Sequence, residues 1–114
     1  MSVKDPATPE EILIALREIS GQMDFIRAQG SKEFTGAGVE SQILQLAACH
    51  MIIRLSAVLE DIPLEFLADL PFREIRGMRN RLAHGYSDVD VSLLWQTVDV
   101  ALPDFLSEIR LRIN

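Results

Sequence analysis

Residues 39–60 are apolar over most of the circumference of a helix, and this pattern limits the folds open to the chain. The apolar side chains do not keep to the single stripe of an ordinary surface helix. They are Ile43, Leu44, Leu46, Ala47, Ala48, Met51, Ile52, Ile53, Leu55, Val58 and Leu59. A helix with so little polar surface normally lies at the centre of a domain or at a subunit interface. We therefore expect a helix from near Val39 to about Glu60, covered by other helices.

An earlier helix is predicted by its start signal and its apolar spacing. Thr8-Pro9-Glu10-Glu11 reads as a capping box with proline at the first helical position. Apolar residues then recur at alternating spacings of four and three, which places one stripe on a helix running to about Gln29. Gly30 fits its C-cap, and residues 31–38, with two more glycines, are predicted to be a loop. The stripe consists of Ile12, Leu16, Ile19, Met23 and Ile26.

Two more helices follow the central one. Asp61-Ile62-Pro63 should break the chain, and residues 64–70 should form a short helical turn. Pro71 opens a third helix with Phe72, Ile75, Met78 and Leu82 facing the core, and Gly85 is expected to end it. Asp90 or Ser87 can cap a fourth helix. Pro103 lies inside the apolar pattern of that helix and predicts a kink or a break into two pieces.

These patterns predict one helical domain. No segment alternates like a strand with hairpin turns, so we expect no sheet. A chain of 114 residues can bury one core but is too short for two. The predicted fold is an all-α, up-and-down four-helix bundle over residues 1–114, with a kinked or split C-terminal helix. Residues 1–7 are expected to be flexible.

The charge distribution argues against an extended nucleic-acid footprint. The net charge is −6, yet residues 71–86 hold four arginines against Glu74 alone, a local balance of +3 that leaves −9 for the remainder. A small basic site on an acidic body fits recognition of a few phosphates better than binding along a duplex. A solvated arginine face explains the same charges equally well.

The expected compartment is the cytoplasm. A single cysteine, Cys49, cannot form an internal disulfide, which indicates a reducing environment. The polar, acidic N-terminus predicts no signal peptide. The apolar stretches are interrupted by Arg54, Glu60 or Asp99 before they reach the roughly 18 residues that span a bilayer, so we expect no membrane segment.

Metal and cofactor sites are not indicated. Two histidines and one cysteine are too few for a structural zinc site. Neither His50 nor His84 has a glutamate three residues before it, so the di-iron bundle signature is missing. Cys49 and His50 adjoin on a helix and point about 100° apart, which favours core or interface roles for both.

Residues 79–86, RNRLAHGY, contain the most suggestive set of functional side chains. Arginine binds phosphate in a fork geometry, histidine transfers protons near neutral pH, and tyrosine offers a nucleophilic hydroxyl. Arg79 and His84 are five residues apart, about 140° of rotation on a continuous helix. They can converge only if the helix ends near Ala83, or if Arg79 of one subunit meets His84 of another. Structural roles for Arg79, His84 and Tyr86 remain the simpler alternative on spacing alone.

The wider context resembles a known family. Residues 70–110 closely resemble the C-terminal half of HepT-type toxins of the HEPN superfamily, and the helix pattern agrees from residue 8 onward. Five motifs occur in a fixed order in that family. They are a proline-aromatic-arginine opening, a GMRN-like turn, R-x-x-x-x-H-x-Y, a valine-aspartate pair and a tryptophan-containing helix with a proline. The matching residues are Pro71-Phe72-Arg73, Gly77-Met78-Arg79-Asn80, His84-Gly85-Tyr86, Val89-Asp90, Trp95 and Pro103.

The resemblance implies a homodimeric bundle with a metal-independent ribonuclease site at the dimer groove, requiring no cofactor. Arg79 and His84 would be the catalytic pair. Tyr86 would accept AMP from a partner nucleotidyltransferase antitoxin of the MntA type. Asn80 would orient backbone or substrate. The substrate would be RNA, with transfer RNA among the candidates. Supporting RNA contacts would come from Asn80, Arg76 and Arg73.

The sequence leaves two other functions open. Family members often carry Gly-Glu in the middle of the second helix, where Cys49-His50 fall here, and this departure allows a non-catalytic HEPN subunit that binds substrate for a partner nucleotidyltransferase. A helical oligomerisation adaptor is the third possibility. The intact Arg79/His84 pair favours the ribonuclease over the first alternative, and the complete motif disfavours the second.

Overall fold

The computed structural model describes residues 7–84 and 89–113, and within these ranges the chain is all-helical without strands. The helices are α1 (Pro9–Gln29), α2 (Ser31–Phe34), α3 (Val39–Glu60), α4 (Leu64–Leu67), α5 (Phe72–His84), α6 (Val91–Gln96) and α7 (Leu102–Ile113), with a π-helical segment at Thr97–Ala101 between α6 and α7. The predicted all-α bundle is confirmed. Its four long parts are α1, α3, α5 and the composite C-terminal helix.

Helix α1 begins and ends as its sequence signals predict. Thr8 Oγ1 accepts a hydrogen bond of 3.2 Å from the Glu11 backbone N–H. Gly30 has φ +87°, a left-handed conformation that glycine adopts without strain, and its N–H donates to the Arg27 carbonyl at 3.1 Å. The five residues of the predicted apolar stripe are all buried.

The prediction of an irregular loop at residues 31–38 was wrong in part, because one helical turn, α2, forms there. Phe34 in this turn is fully buried, and its ring lies 5.2 Å from the Trp95 ring. The side-chain amide of Gln45 donates to the carbonyls of Phe34 and Gly36 at 2.9 and 3.2 Å. Burial of one aromatic ring thus orders a glycine-rich segment whose local sequence favours a loop.

Helix α3 is the centre of the bundle, as predicted. It packs against α1 on one side and α5 on the other, with α2 and α6 near its N-terminal half. Nine of its residues are buried. Contrary to our expectation, α3 is long and apolar enough by length and composition to cross a membrane. The core helix of a helical bundle can have the same two properties, and in α3 39% of the apolar window is buried within one chain.

The C-terminal helix is split just before Pro103, as predicted. Asp90 caps α6 by accepting from the backbone N–H groups of Ser92 and Leu93 at 3.0 and 3.2 Å. Ser87, the alternative cap, lies outside the described residues. Pro103 has no N–H for the carbonyl of Asp99 four residues earlier. The π-helical turn there, with the Leu102 N–H donating to the Thr97 carbonyl, accommodates this break.

The connection between α3 and α5 is held against α7 by Arg112. Its Nη1 donates to the backbone carbonyls of Phe66 and Ala68, and its Nε lies 3.1 Å from Glu108 Oε1. The Pro71 carbonyl accepts from the Ile75 N–H at 3.2 Å, so α5 opens where the sequence predicts. Gly85, the expected end of α5, lies outside the described residues. These contacts fix where α5 begins and therefore where its arginines lie.

Candidate functional site

Arg79 faces the C-terminal end of α3 and takes part in a three-residue ion-pair cluster. The Glu60 Oε1 atom lies 3.7 Å from Arg79 Nη2 and 3.6 Å from Arg76 Nη2. Arg76 also covers the Phe72 ring, with its Cζ 5.7 Å from the ring centroid. The cluster carries a net charge of +1, so it can still attract an anion.

Arg79 is held more tightly by the protein than Arg76. Its side chain is 34% exposed, against 54% for Arg76. The Arg79 Nε atom is buried and has no hydrogen-bond partner among the described residues. Arginine cannot lose its charge in a protein, so part of a permanently charged guanidinium is removed from water here.

His84 is exposed and lines a cavity of about 420 Å³ between the end of α5 and the start of α6. Among the described residues, the polar side chains that line this cavity are Arg81, His84 and Asp90, and Arg79 is not one of them. Apolar side chains form most of its wall: Met78, Leu82, Val89, Leu93 and Leu94. Arg81, for which the sequence predicts no role beyond its charge, is the arginine that lines the same cavity as His84.

Within one chain, the structure does not bring Arg79 and His84 together. The described part of α5 extends through Ala83 to His84, so Arg79 and His84 lie on one continuous helix. The five-residue separation then corresponds to about 140° of rotation. Arg79 faces Glu60, whereas His84 shares a cavity with Arg81. The second predicted arrangement, a site shared by two subunits, stays a prediction.

The other predicted site residues occupy different surroundings. Asn80 is exposed on α5. Arg73 is exposed and lines a hollow of about 340 Å³ beside the connection that precedes α5. Tyr86, the predicted AMP acceptor, lies outside the described residues.

Cys49 and His50 diverge on α3, as their adjacency predicts. Cys49 is 3% exposed, and burial raises the pKa of its thiol. His50 is exposed. A buried, protonated thiol is a poor nucleophile, which agrees with a packing role for Cys49. Among the described residues, no group of three His, Cys, Asp or Glu side chains is arranged to hold a metal ion.

One side of α3 is exposed although it is apolar. Its apolar side chains are Val39, Ile43 and Leu46, which are 65%, 59% and 51% exposed. The same side of the helix continues with the exposed residues His50, four positions after Leu46, and Ala57, seven positions after His50. We call these five residues the α3 outer face. Glu60 lies three residues after Ala57, so this face leads to the ion-pair cluster of Arg76 and Arg79.

Glu60 is the residue at this site that the sequence analysis missed as a candidate. A signal was present in the sequence. A carboxylate in the last residue of a helix meets the negative end of the macrodipole, which disfavours it locally. Such a residue needs a partner elsewhere, and four arginines follow within 21 residues.

Comparison with known proteins gives the family. A family model for ribonuclease HepT-like proteins matches residues 11–111. A protein of Thermococcus cleftensis described as a probable ribonuclease HepT is 34% identical over 62 residues, which cover 52% of this chain and 56% of that protein. A protein of Caldanaerobacter subterraneus subsp. tengcongensis, provisionally named an RNase, is 25% identical over 75 residues, 63% of this chain and 67% of its own length.

The matched segments therefore span about half to two thirds of these relatives. A further relative, from Methanocaldococcus jannaschii and also provisionally named an RNase, is 38% identical over 39 residues, a third of each chain. No solved structure matches the chain. The match of the family model over nearly the whole helical bundle, with the Arg79/His84 motif inside it, shows that the chain belongs to the HepT-like ribonuclease family.

Proposed function

We propose that the protein is a metal-independent endoribonuclease and acts as the toxin of a toxin–antitoxin pair. The observation that carries this proposal is the intact Arg79/His84 pair on α5 of a HepT-like chain. Both side chains are open to solvent at least in part, with His84 exposed and Arg79 34% exposed. Catalytic groups must be reachable by substrate, and these two are.

The chemistry needs few protein groups because RNA supplies its own nucleophile. One neutral histidine takes the proton from a 2′-hydroxyl, whose oxygen then attacks the adjacent phosphorus. The bond from phosphorus to the 5′-oxygen breaks, and a protonated histidine gives that oxygen a proton. The products carry a 2′,3′-cyclic phosphate and a 5′-hydroxyl. Arginine stabilises the negative charge that develops on the phosphoryl oxygens.

We further propose that two copies of the chain share this site. Arg79 and His84 face different surroundings within one chain, so a single copy does not assemble the pair. A homodimer across the α3 outer face would cover its exposed apolar residues and bring the cluster of Arg76 and Arg79 toward the partner. Two copies of His84 in one cleft would then supply the base and the acid.

Regulation by a partner nucleotidyltransferase antitoxin is the remaining part of the proposal. The Tyr86 hydroxyl oxygen would attack the α-phosphorus of ATP, releasing pyrophosphate and leaving AMP on the tyrosine. Tyr86 is two residues from His84 in the sequence. The added phosphate carries negative charge and bulk to the region where an RNA phosphate must bind, which explains inhibition without unfolding.

The first experiment incubates purified protein with total cellular RNA in EDTA, beside His84→Ala and Arg79→Ala variants. Discrete cleavage by the wild type alone, with cyclic-phosphate ends, is the expected result. Arg17→Ala is the matched control, because Arg17 is an exposed arginine on α1, outside the α5 motif and the α3 outer face. Intact RNA in every lane, from a confirmed unmodified dimer, would replace the ribonuclease with the non-catalytic subunit. Cleavage retained by His84→Ala would remove histidine from the mechanism.

A further inference from the structure

We propose that Glu60 is a positioning residue that holds the Arg79 guanidinium in place for the phosphate of RNA. The proposal rests on the ribonuclease function proposed above. It starts from the single carboxylate oxygen, Glu60 Oε1, that lies 3.6–3.7 Å from the Nη2 atoms of Arg76 and Arg79. These separations exceed the usual 2.7–3.2 Å of a direct hydrogen bond, so the attraction is mainly electrostatic.

The partial burial of Arg79 explains why a carboxylate is needed beside it. The buried Nε of Arg79 has lost its water and gains no acceptor among the described residues. A charged group that is desolvated without a partner favours any rotamer that returns it to water. The negative charge of Glu60 offsets that tendency and keeps the guanidinium against α3.

Arg76 does not depend on Glu60 in the same way. Its guanidinium already lies over the Phe72 ring, and more than half of its side chain is exposed. An arginine that stacks on an aromatic ring and remains hydrated has other sources of stabilisation. Loss of Glu60 should therefore displace Arg79 more than Arg76.

The local structure of α3 gives no other reason for a carboxylate at this position. Glu60 is the last residue of the helix and Asp61 follows it, so two acidic groups lie at the end where the macrodipole is negative. The half-exposed Glu60 side chain contacts α5 through its ion pairs with the two arginines. The contact with α5 is thus the stabilising interaction that the structure records for it.

This arrangement leaves part of Arg79 available for substrate. Nε is buried and Nη2 lies 3.7 Å from Glu60 Oε1, so in the proposed arrangement Nη1 meets a phosphoryl oxygen. The charge on those oxygens increases in the transition state, so a correctly placed Arg79 acts on kcat. Removing the negative charge of Glu60 also makes the surface less repulsive to RNA, which leaves KM unchanged or lowers it.

Glu60→Gln separates positioning from general stability, and Glu18→Gln is the matched control. Glu18 is a half-exposed glutamate whose Oε2 lies 2.6 Å from Arg54 Nη2, an ion pair that joins α1 to α3 rather than α3 to α5. We expect Glu60→Gln to lower kcat by at least roughly tenfold, as small misplacements of a catalytic group do, without raising KM. Glu18→Gln should leave both parameters unchanged. Glu60→Asp, which keeps the charge, should restore part of kcat.

A second measurement follows Arg79 directly and does not depend on activity. The hydrogen on a buried Nε exchanges slowly with water, so its resonance in the ¹⁵N-labelled protein reports whether the guanidinium stays in place. Glu60→Gln should accelerate this exchange, and Glu18→Gln should not. If the wild type cleaves no RNA, the ribonuclease proposal fails, while the exchange rate still decides whether Glu60 holds Arg79.

Two results would overturn the positioning role. Unchanged Nε exchange in Glu60→Gln would show that Arg79 keeps its place without the carboxylate. A lower KM with kcat intact would show that Glu60 instead competes with phosphate for Arg76 and Arg79.

Discussion

The proposed dimer can be tested by placing a charge on the α3 outer face with Ile43→Glu. Ile43 is 59% exposed in the single chain, so a partner has that fraction of the side chain left to bury. Full burial of an isoleucine contributes about 1.5–3 kcal/mol, and the remaining share is therefore roughly 1–2 kcal/mol per copy. A two-fold interface contains the same residue twice, which raises the loss to roughly 2–4 kcal/mol.

That loss corresponds to an increase in the dimer dissociation constant of about thirtyfold to several hundredfold. Two carboxylates brought into an apolar contact add a desolvation cost in the same direction. The measurement is analytical ultracentrifugation over a range of concentrations, with the wild type expected at twice the 12.8 kDa chain mass. Circular dichroism should show unchanged helix content, because an exposed residue contributes little to the fold of one chain.

Leu111→Glu is the control for an added charge on an exposed apolar residue. Leu111 is 71% exposed and lies on α7, beside Ser20 and Asp24 of α1 rather than on the α3 outer face. The Leu111→Glu variant should dimerise with the affinity of the wild type. Dimerisation of Ile43→Glu with wild-type affinity would refute the proposed interface, as would a wild type that is monomeric throughout.

Three other predictions concern the α2 turn, the buried thiol and the tyrosine. A Cβ on Gly36 would lie 2.5 Å from the buried Ser41 Oγ, which donates a hydrogen bond to the Glu33 carbonyl. Because Gly36→Ala disturbs this hydrogen bond, it should lower the free energy of unfolding by about 1–3 kcal/mol. Urea denaturation measures the change, and an unchanged midpoint would contradict it. Burial raises the pKa of the Cys49 thiol above its value in the unfolded chain. The stability that the protonated thiol contributes is therefore complete below about pH 8.5 and is lost as the pH rises through the pKa of the folded state. The wild type should therefore lose more stability than Cys49→Ala between pH 7 and 10, and parallel curves would refute the shift. Tyr86→Phe should cleave RNA like the wild type but resist neutralisation by a nucleotidyltransferase, whereas continued AMP transfer, measured by mass spectrometry, would move the acceptor elsewhere.

The long helices could be predicted from the sequence because local signals and burial agree there. Thr8 and Gly30 bound α1 as capping rules require, and α3 has the bounds that its apolar pattern predicts. The α2 turn could not be predicted in this way. Its order comes from Phe34 packing against the core and Trp95, residues far apart in the sequence.

The sequence predicts residue types for the candidate site but not their arrangement. The R-x-x-x-x-H-x-Y spacing identifies Arg79 and His84, whereas the directions in which they face depend on how far α5 continues. Glu60 was missed because its partners lie 16 and 19 residues later and meet it only after α3 and α5 pack. Contacts of this kind depend on tertiary structure.

The separation of Arg79 from His84 around α5 has a consequence for dosage. In the two-copy arrangement proposed above, cleavage requires an encounter between chains. At concentrations well below the dissociation constant, the amount of dimer grows with the square of the amount of chain. Tenfold more protein would then give about a hundredfold more activity. Under the proposed toxin–antitoxin role, a few molecules escaping the antitoxin would be nearly harmless, and a burst of synthesis would act as a threshold.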